Sequence, residues 1–494
     1  MNDQDKKQSD THAHSVVPRK AVFKVRGNTA GVIDKKELIA YPANALSSHL
    51  NVGANDTNKK ITFLLSGDCF VDGMESYVSL RLKVNKYTAY LSSDVTSIVK
   101  RLVLSLPSNS NQVLEDINEY ATLQSILHQA NGSDEAFAAN WHSGQNCLAN
   151  YNKESGAASA RRFLNMGDEG EYRTLTFQLN LSGILSSQNY LPLMLLNGLK
   201  LELHLSSASE AFHYDATKEA SWDTVFACVE APFAKKWSDM SAAERDAVTA
   251  AFSDHLAKPD PPNSTAQLEY TIESPTFHAM TVWMSPAYTQ SLVTASNSAT
   301  GVLLNYDTFK YNQIVPESPY VNFAFPDSLQ NVKCAYFGAY LRQKAQASHF
   351  NYVTSSLKSF TFRIGSRIFN QVVNDPALAV TSTLLSLGKL GSYAQSSLGY
   401  TTYPRSKNVH VYDFQSARDE QSSLNSGLDT TNGRHLRVEL NFDTGASIAV
   451  TSPDDNTSLV TLKKASSFQD TALNTFLEFS KYIRINSAGI LVVE

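Results

Sequence analysis

The sequence predicts an all-β chain folded as two β-sandwiches of Greek-key or jelly-roll type, side by side, with short connecting helices. Three observations lead there. Runs in which apolar and polar residues alternate recur through both halves, separated by turn-forming clusters, as in half-buried strands. The length of 494 residues exceeds one ordinary core and fits two large domains. Charged residues make up only 18 % against 42 % hydrophobic, below the roughly 25 % charge of typical soluble domains. Abundant Ser, Thr and Asn with little charge suit sheet faces, or faces covered within an assembly.

The first 36 residues lack hydrophobic periodicity and read as a flexible basic N-terminal arm. Lys6, Lys7, Arg19, Lys20, Lys24, Arg26, Lys35 and Lys36 stand there against Asp3, Asp5, Asp10 and Asp34, a local balance of +4 within a chain of net charge −5. The remainder therefore carries −9, which argues against a surface that binds nucleic acid throughout. The first sandwich is expected over residues 37–290. Its early strands are "KKITFLLSG" at 59–67, "ESYVSLRLKVN" at 75–85 and "IVKRLVLSLP" at 98–107. Between Val113 and Ala130 the spacing of Val113, Ile117, Tyr120, Leu123, Ile126 and Leu127 shifts to three and four residues, which predicts an amphipathic helix. Strand patterning returns in "EYRTLTFQLNLSG" at 171–183, with "LKLELHLS" at 199–206 as its expected partner.

The most apolar stretch, "GILSSQNYLPLMLLNGLKLELHLS" at 183–206, is too interrupted to cross a membrane. A spanning helix needs about 20 apolar residues in a row, and Gln188, Asn189, Pro192, Asn197, Gly198 and Lys200 break this one. It parses as a helical connection over 186–196, a turn at Asn197-Gly198 and a half-buried strand. A helix-bearing insertion is expected over about 207–265, where Ser241 and Glu244 form a capping box ahead of an Ala-rich run. "AQLEYTIESPTFHAMTVWMS" at 266–285 then returns the chain to the first sandwich.

The second sandwich is expected over 291–494, with the same plan. Strands are predicted at 320–325, 331–342 and 357–365, then a helix in "DPALAVTSTLLSLGKLG" with Asp375 as N-cap and Pro376 at its first position. Further strands follow at 434–442, 446–452, 474–486 and 489–494.

Motifs for chemistry are sparse. The chain has no HExxH, GxSxG, P-loop or GxGxxG pattern. No catalytic, cofactor-binding or metal-ligating residue is assigned, and no cofactor is expected. Cys69, Cys147, Cys228 and Cys334 lie far apart without zinc-site spacing and read as buried free thiols, in keeping with a reducing compartment. With no apolar signal segment in "MNDQDKKQSDTHAHS", the Asn-x-Ser/Thr matches are expected to carry no glycan. His204 reads as a surface histidine, Asp454-Asp455 as a turn, and Arg161-Arg162 as loop arginines that are solvated or paired.

Several stretches in order carry a resemblance: "SGDCFVDGMESYVSLRLKV", "RLVLSLPSNSNQVLEDINEYATLQSIL", "FQLNLSGIL" leading into "LPLMLLNGLKLELHLSSASEAF", and "FTFRIGSRIFNQ". The chain resembles the double jelly-roll major capsid proteins of double-stranded DNA viruses, of polinton-like virus, virophage and adintovirus type. In "FTFRIGSRIFNQ" Ile368-Phe369 replaces the Tyr-Pro with which that family often continues. The resemblance implies two eight-stranded jelly rolls per chain, pseudo-hexagonal homotrimeric capsomers, and an icosahedral shell in the virion, assembled inside the host cell. It implies as partners the chain itself, neighbouring capsomers, and penton and minor capsid proteins. The arm residues Lys6, Lys7, Arg19, Lys20, Lys24 and Arg26 become candidates for inner-face contact with genome DNA or an internal membrane. A carbohydrate-binding or carbohydrate-active β-sandwich is the alternative, with aromatic residues in "SPYVNFAFP" or Trp222 and Trp237 available to stack on sugars.

Overall fold

A computed structural model describes residues 32–43, 49–53, 56, 58–84, 90–91, 95–107, 112–131, 173–178, 183–186, 190–213, 268–341, 357–369, 371–373, 375–387, 409–415, 427–431, 434–442 and 471–493. Four main antiparallel sheets carry the fold. Sheet one runs β1 (Val32–Ala40), β12 (Glu269–Met284), β4 (Phe70–Val84), β8 (Arg173–Gln178), with β2 (His49–Gly53) also on β12 and β9 (Leu191–Pro192) on β4. Sheet two runs β3 (Lys60–Leu65), β10 (Leu199–Leu205), β6 (Val99–Ser105), β7 (Val113–Asn118). A two-residue ladder joins β5 (Tyr90–Leu91) to β11 (Phe212–His213).

The second half repeats this order. Sheet three runs β13 (Val302–Ile314), β21 (Thr471–Asn486), β15 (Val332–Leu341), β19 (Val409–Asp413), with β22 (Gly489–Val493) on β21. Sheet four runs β14 (Tyr320–Ala324), β20 (Leu436–Phe442), β16 (Leu357–Ile364), β17 (Arg367–Ile368), with β18 (Val372–Val373) on β16. Strand for strand, β1, β12, β4 and β8 correspond to β13, β21, β15 and β19, and β3, β10, β6 and β7 to β14, β20, β16 and β17. Each set is a jelly roll of eight main strands in two facing sheets.

Local chemistry explains the elements. Leu199, Leu201, Leu203 and Leu205 all point into the first core and are at most 1 % exposed, each contributing about 1.5–3 kcal/mol by burial. The preceding turn forms as expected, Asn197 at φ 53° and Gly198 at φ 100°, because both residues tolerate the left-handed region. β12 carries Pro275 mid-strand. The ladder shifts register between Glu273 and Thr276, with Ser274 at φ 48°, so the missing N–H falls in a bulge.

Among the described residues five short helices punctuate the strands: α1 (Tyr120–Asn131), α2 (Leu193–Leu196), α3 (Ala208–Ala211), α4 (Pro286–Ser296) and α5 (Pro376–Ser386). α5 begins where the sequence places it. Asp375 accepts from Ala377 N at 3.0 Å and Leu378 N at 3.3 Å, with Pro376 in the first turn. Asp375→Ala is expected to cost about 1 kcal/mol of local stability. Amide exchange within α5 would then rise roughly fivefold, while an unchanged rate would remove the cap from the account.

Several expectations are corrected. The predicted helix over 113–130 is half strand: residues Val113–Asn118 form β7, and α1 starts at Tyr120 after Glu119 turns the chain at φ 52°. β7 hides Leu114 on one face and Glu115 on the other, so it shows no simple alternation. β8 pairs with β4 and not with β10, which pairs with β3 and β6 in the opposite sheet; sequence neighbours in a jelly roll lie across the core. The connection at 186–196 is a 3-10 turn at Ile184–Ser186, the short β9 and the single turn α2, since Pro192 stops a longer helix. β1 begins at Val32 and so takes in Lys35 and Lys36, read above as part of the arm. β13, β19 and α4 had no counterpart in the sequence reading. The Ser241 capping box and the 446–452 strand lie outside the described residues.

Candidate assembly site: the seam between the sandwiches

The two sandwiches meet where an edge strand of each, β7 and β13, come together, and the core is continuous across the join. Tyr306, Phe309, Cys334, Tyr336, Val411 and Phe476 from sheet three cluster with α1 residues Tyr120, Leu123, Ile126 and Leu127 from the first sandwich. Burying two edges against each other also removes two templates for unwanted strand pairing.

Polar bonds set the register of this apolar join. Tyr306 Oη donates to the Leu114 carbonyl at 2.6 Å, and Gln112 Nε2 donates to the Ile490 carbonyl at 3.2 Å. Next to Leu114 stands Glu115, 1 % exposed. Its carboxylate accepts from Thr308 Oγ1 at 2.6 Å and from the Ile184 amide at 3.0 Å. Burial pushes the Glu115 carboxyl up to about 7; the Thr308 and Ile184 hydrogen bonds and the Lys481 charge pull the other way, and Asp116 adds to the rise. Gly183 completes the pocket at φ +78°, and a Cβ built there would overlap the Glu115 carboxylate. Thus β7, β13 and the turn that opens "GILSSQNYLP" converge on one buried carboxyl group.

The outer face of sheet two is charged. Glu202 bridges Lys60 at 2.7 Å and Lys200 at 3.3 Å, and Arg101 makes two hydrogen bonds to Asp116. His204 stands in register between Lys60 and Arg101. It is half-buried, and burial followed by the Arg101 charge lowers its pKa. It is therefore less a free surface histidine than a packed one, held between the Lys60 and Arg101 positions of the neighbouring strands.

Cys69 and Cys334 are buried free thiols, whereas Cys147 and Cys228 lie outside the described residues. The same holds for Lys6, Lys7, Arg19, Lys20, Lys24 and Arg26, for Arg161-Arg162 and Asp454-Asp455, and for Trp222 and Trp237. In "SPYVNFAFP", Phe325 is core and Phe323 packs on it edge-on at 5.2 Å, while Tyr320 is exposed. Among the described residues no three His, Cys, Asp or Glu side chains gather as a metal site, and no helix is long and apolar enough to cross a membrane. Glu115, Thr308 and Gly183 were not singled out by sequence. The one signal was an acidic residue between Leu114 and Ile117 in a stretch whose period was ambiguous.

No protein-family model and no curated protein matches the chain. Solved structures do. The chain is similar to a protein of the PBCV-1 virus capsid, with TM-score 0.55 and 12 % identity, covering 96 % of this chain and 99 % of that one. It is also similar to a chain of the Sputnik virophage structure, with TM-score 0.50 and 7 % identity, covering 97 % and 92 %. Four antiparallel sheets in two repeats of one strand order, matched over nearly the full length of both chains, are the double jelly-roll fold of the major capsid proteins of double-stranded DNA viruses.

Proposed function

We propose that this chain is a major capsid protein, a structural subunit that forms pseudo-hexagonal homotrimeric capsomers and tiles the icosahedral shell of a double-stranded DNA virus. The observation that carries this reading is the full-length likeness of a twice-repeated jelly roll to viral capsid structures. Two sandwiches of one strand order per chain let three copies present six similar sides to a lattice. Residue 290, the proposed boundary between the units, lies within α4, after the last strand of sheet one and before the first of sheet three. That order supports the division at 37–290 and 291–494. A shell protein needs no catalytic constellation.

In this reading the chain resides in the virion, with itself, penton proteins and minor capsid proteins as partners. The basic arm bearing Lys6, Lys7, Arg19, Lys20, Lys24 and Arg26 faces inward, toward genome DNA or an internal membrane. The purified protein is expected to run in light scattering as a stable species of three times 54.3 kDa, with hexagonal capsomers under the electron microscope. A monomer at all concentrations would overturn the proposal.

A further inference from the structure

The two sandwiches share a strand order but differ in what covers them. Across β13, β21, β15 and β19 the register aligns Tyr311, Phe476, Tyr336 and Val411 in one row on the outer face of sheet three. Three of these four are buried, and α1 of the first sandwich packs on β15 and β19 there. Across the corresponding strands β1, β12, β4 and β8 the register aligns Ile39, His278, Tyr77 and Gln178. None of these four is buried among the described residues.

This second row is nonetheless a shaped surface. The Tyr77 and His278 rings stack at 4.4 Å, 7° from parallel. Glu37 Oε1 accepts from Tyr77 Oη at 2.9 Å and lies 2.7 Å from His278 Nδ1, while Thr276 Oγ1 is 3.0 Å from Nε2. Ile39 flanks the platform and is 43 % exposed. A flat aromatic pair held by three polar contacts, with an apolar neighbour, resembles the rigid anchors found at protein interfaces.

A matching knob exists on the other sandwich. α5 is the counterpart of α1: each follows the outer strand of its second sheet and precedes the outer strand of its first. The described side chains of α1 are buried save His128, but α5 leaves Leu378 and Leu385 exposed at 59 % and 63 %. They are seven residues apart and so share a helix face. The opposite face, with Ala379, Val380, Thr383 and Leu384, is buried, and α5 packs on β19 and β18.

We propose that the Leu378–Leu385 face of α5 seats on the Ile39–His278–Tyr77 row of a second copy, repeating between chains the helix-on-sheet contact that α1 makes within one chain. The inference rests on the capsomer reading and names its interface. The contact is heterologous, so repetition closes a ring where the rotation between successive copies divides a full turn, and otherwise runs on as an open filament. With one internal and one external step per chain, six sandwiches close with three copies.

The test uses the full-length protein. L378E/L385E and, separately, I39E place charge on exposed positions and should leave the fold and its circular dichroism intact, while native mass spectrometry shows trimer dissociation at concentrations at least tenfold above those for the unaltered chain. Mixed chains bearing either L385C or I39C should form an interchain disulfide that the unaltered chain, with its own four cysteines, does not. If the double variant misfolds, I39E and the cross-link decide. A wild-type monomer overturns the capsomer reading itself. A wild-type trimer that survives all charge substitutions and gives no cross-link overturns this interface alone, assigning the α5 face to another occupant such as a segment of the same chain.

Discussion

Glu115→Gln is expected to flatten the pH dependence of stability between about pH 4.5 and 7. In the folded chain burial raises the Glu115 carboxyl from 4.5 to about 7, so the native state holds this proton more tightly than the unfolded chain does. Stability from this group is therefore fully present below pH 4.5, falls as pH rises through the window, and levels off above about 7. The shift corresponds to roughly 3 kcal/mol, at 1.36 kcal/mol per unit. A glutamine keeps a carbonyl for the Ile184 amide, and its NH2 can donate to the Thr308 hydroxyl, which rotates to accept. It cannot ionise. Thermal midpoints of the two proteins should thus converge near pH 4.5 and diverge toward pH 8, with the variant the more stable. Parallel curves would mean that Glu115 stays solvated or paired well enough to ionise without cost. Thr308→Val would not reproduce the effect, since it removes one of the hydrogen bonds that favour the charged form and leaves the carboxyl buried.

How far the sequence foretells this molecule depends on the range of the interaction. Strands with a two-residue alternation against one core were legible: β4, β10, β12 and β20 follow the apolar pattern and turn residues that flank them. The cap of α5 was legible because Asp375-Pro376 acts within one turn. β7 was not, because the seam covers both of its faces and erases the alternation that marks a strand; Leu114 and Glu115, adjacent and both buried, carry no periodic signal. Pairing partners were not legible either. β8 and β10 are near in sequence and both alternate apolar with polar residues, yet they belong to opposite sheets, a consequence of the jelly-roll crossover and not of either strand's composition. The buried carboxyl fared worst. A glutamate in a strand reads as a wet face until the second sandwich, almost two hundred residues later, supplies Tyr306 and Thr308.

Gly183→Ala is expected to be among the most damaging single substitutions in the chain, lowering stability by about 3–5 kcal/mol, at the upper end of what point changes cost. Two effects combine. Gly183 sits at φ +78°, where an L side chain costs roughly 1–2 kcal/mol. Its missing Cβ also makes room for the Glu115 carboxylate, which cannot retreat without breaking its bonds to Thr308 and to the Ile184 amide. A double-mutant cycle separates the two terms. In an Glu115→Ala background the carboxylate is gone, so Gly183→Ala should cost only the backbone strain of about 1–2 kcal/mol. An equal cost in both backgrounds would show that the glycine is kept for its turn alone. The cycle also bears on the seam: Gly183 opens the apolar stretch at 183–206 and Glu115 lies in the edge strand that meets β13. A coupling of about 2 kcal/mol or more would mean that the turn, the buried carboxyl and the second sandwich form one cooperative unit, so that loosening the turn loosens the joint between the two halves.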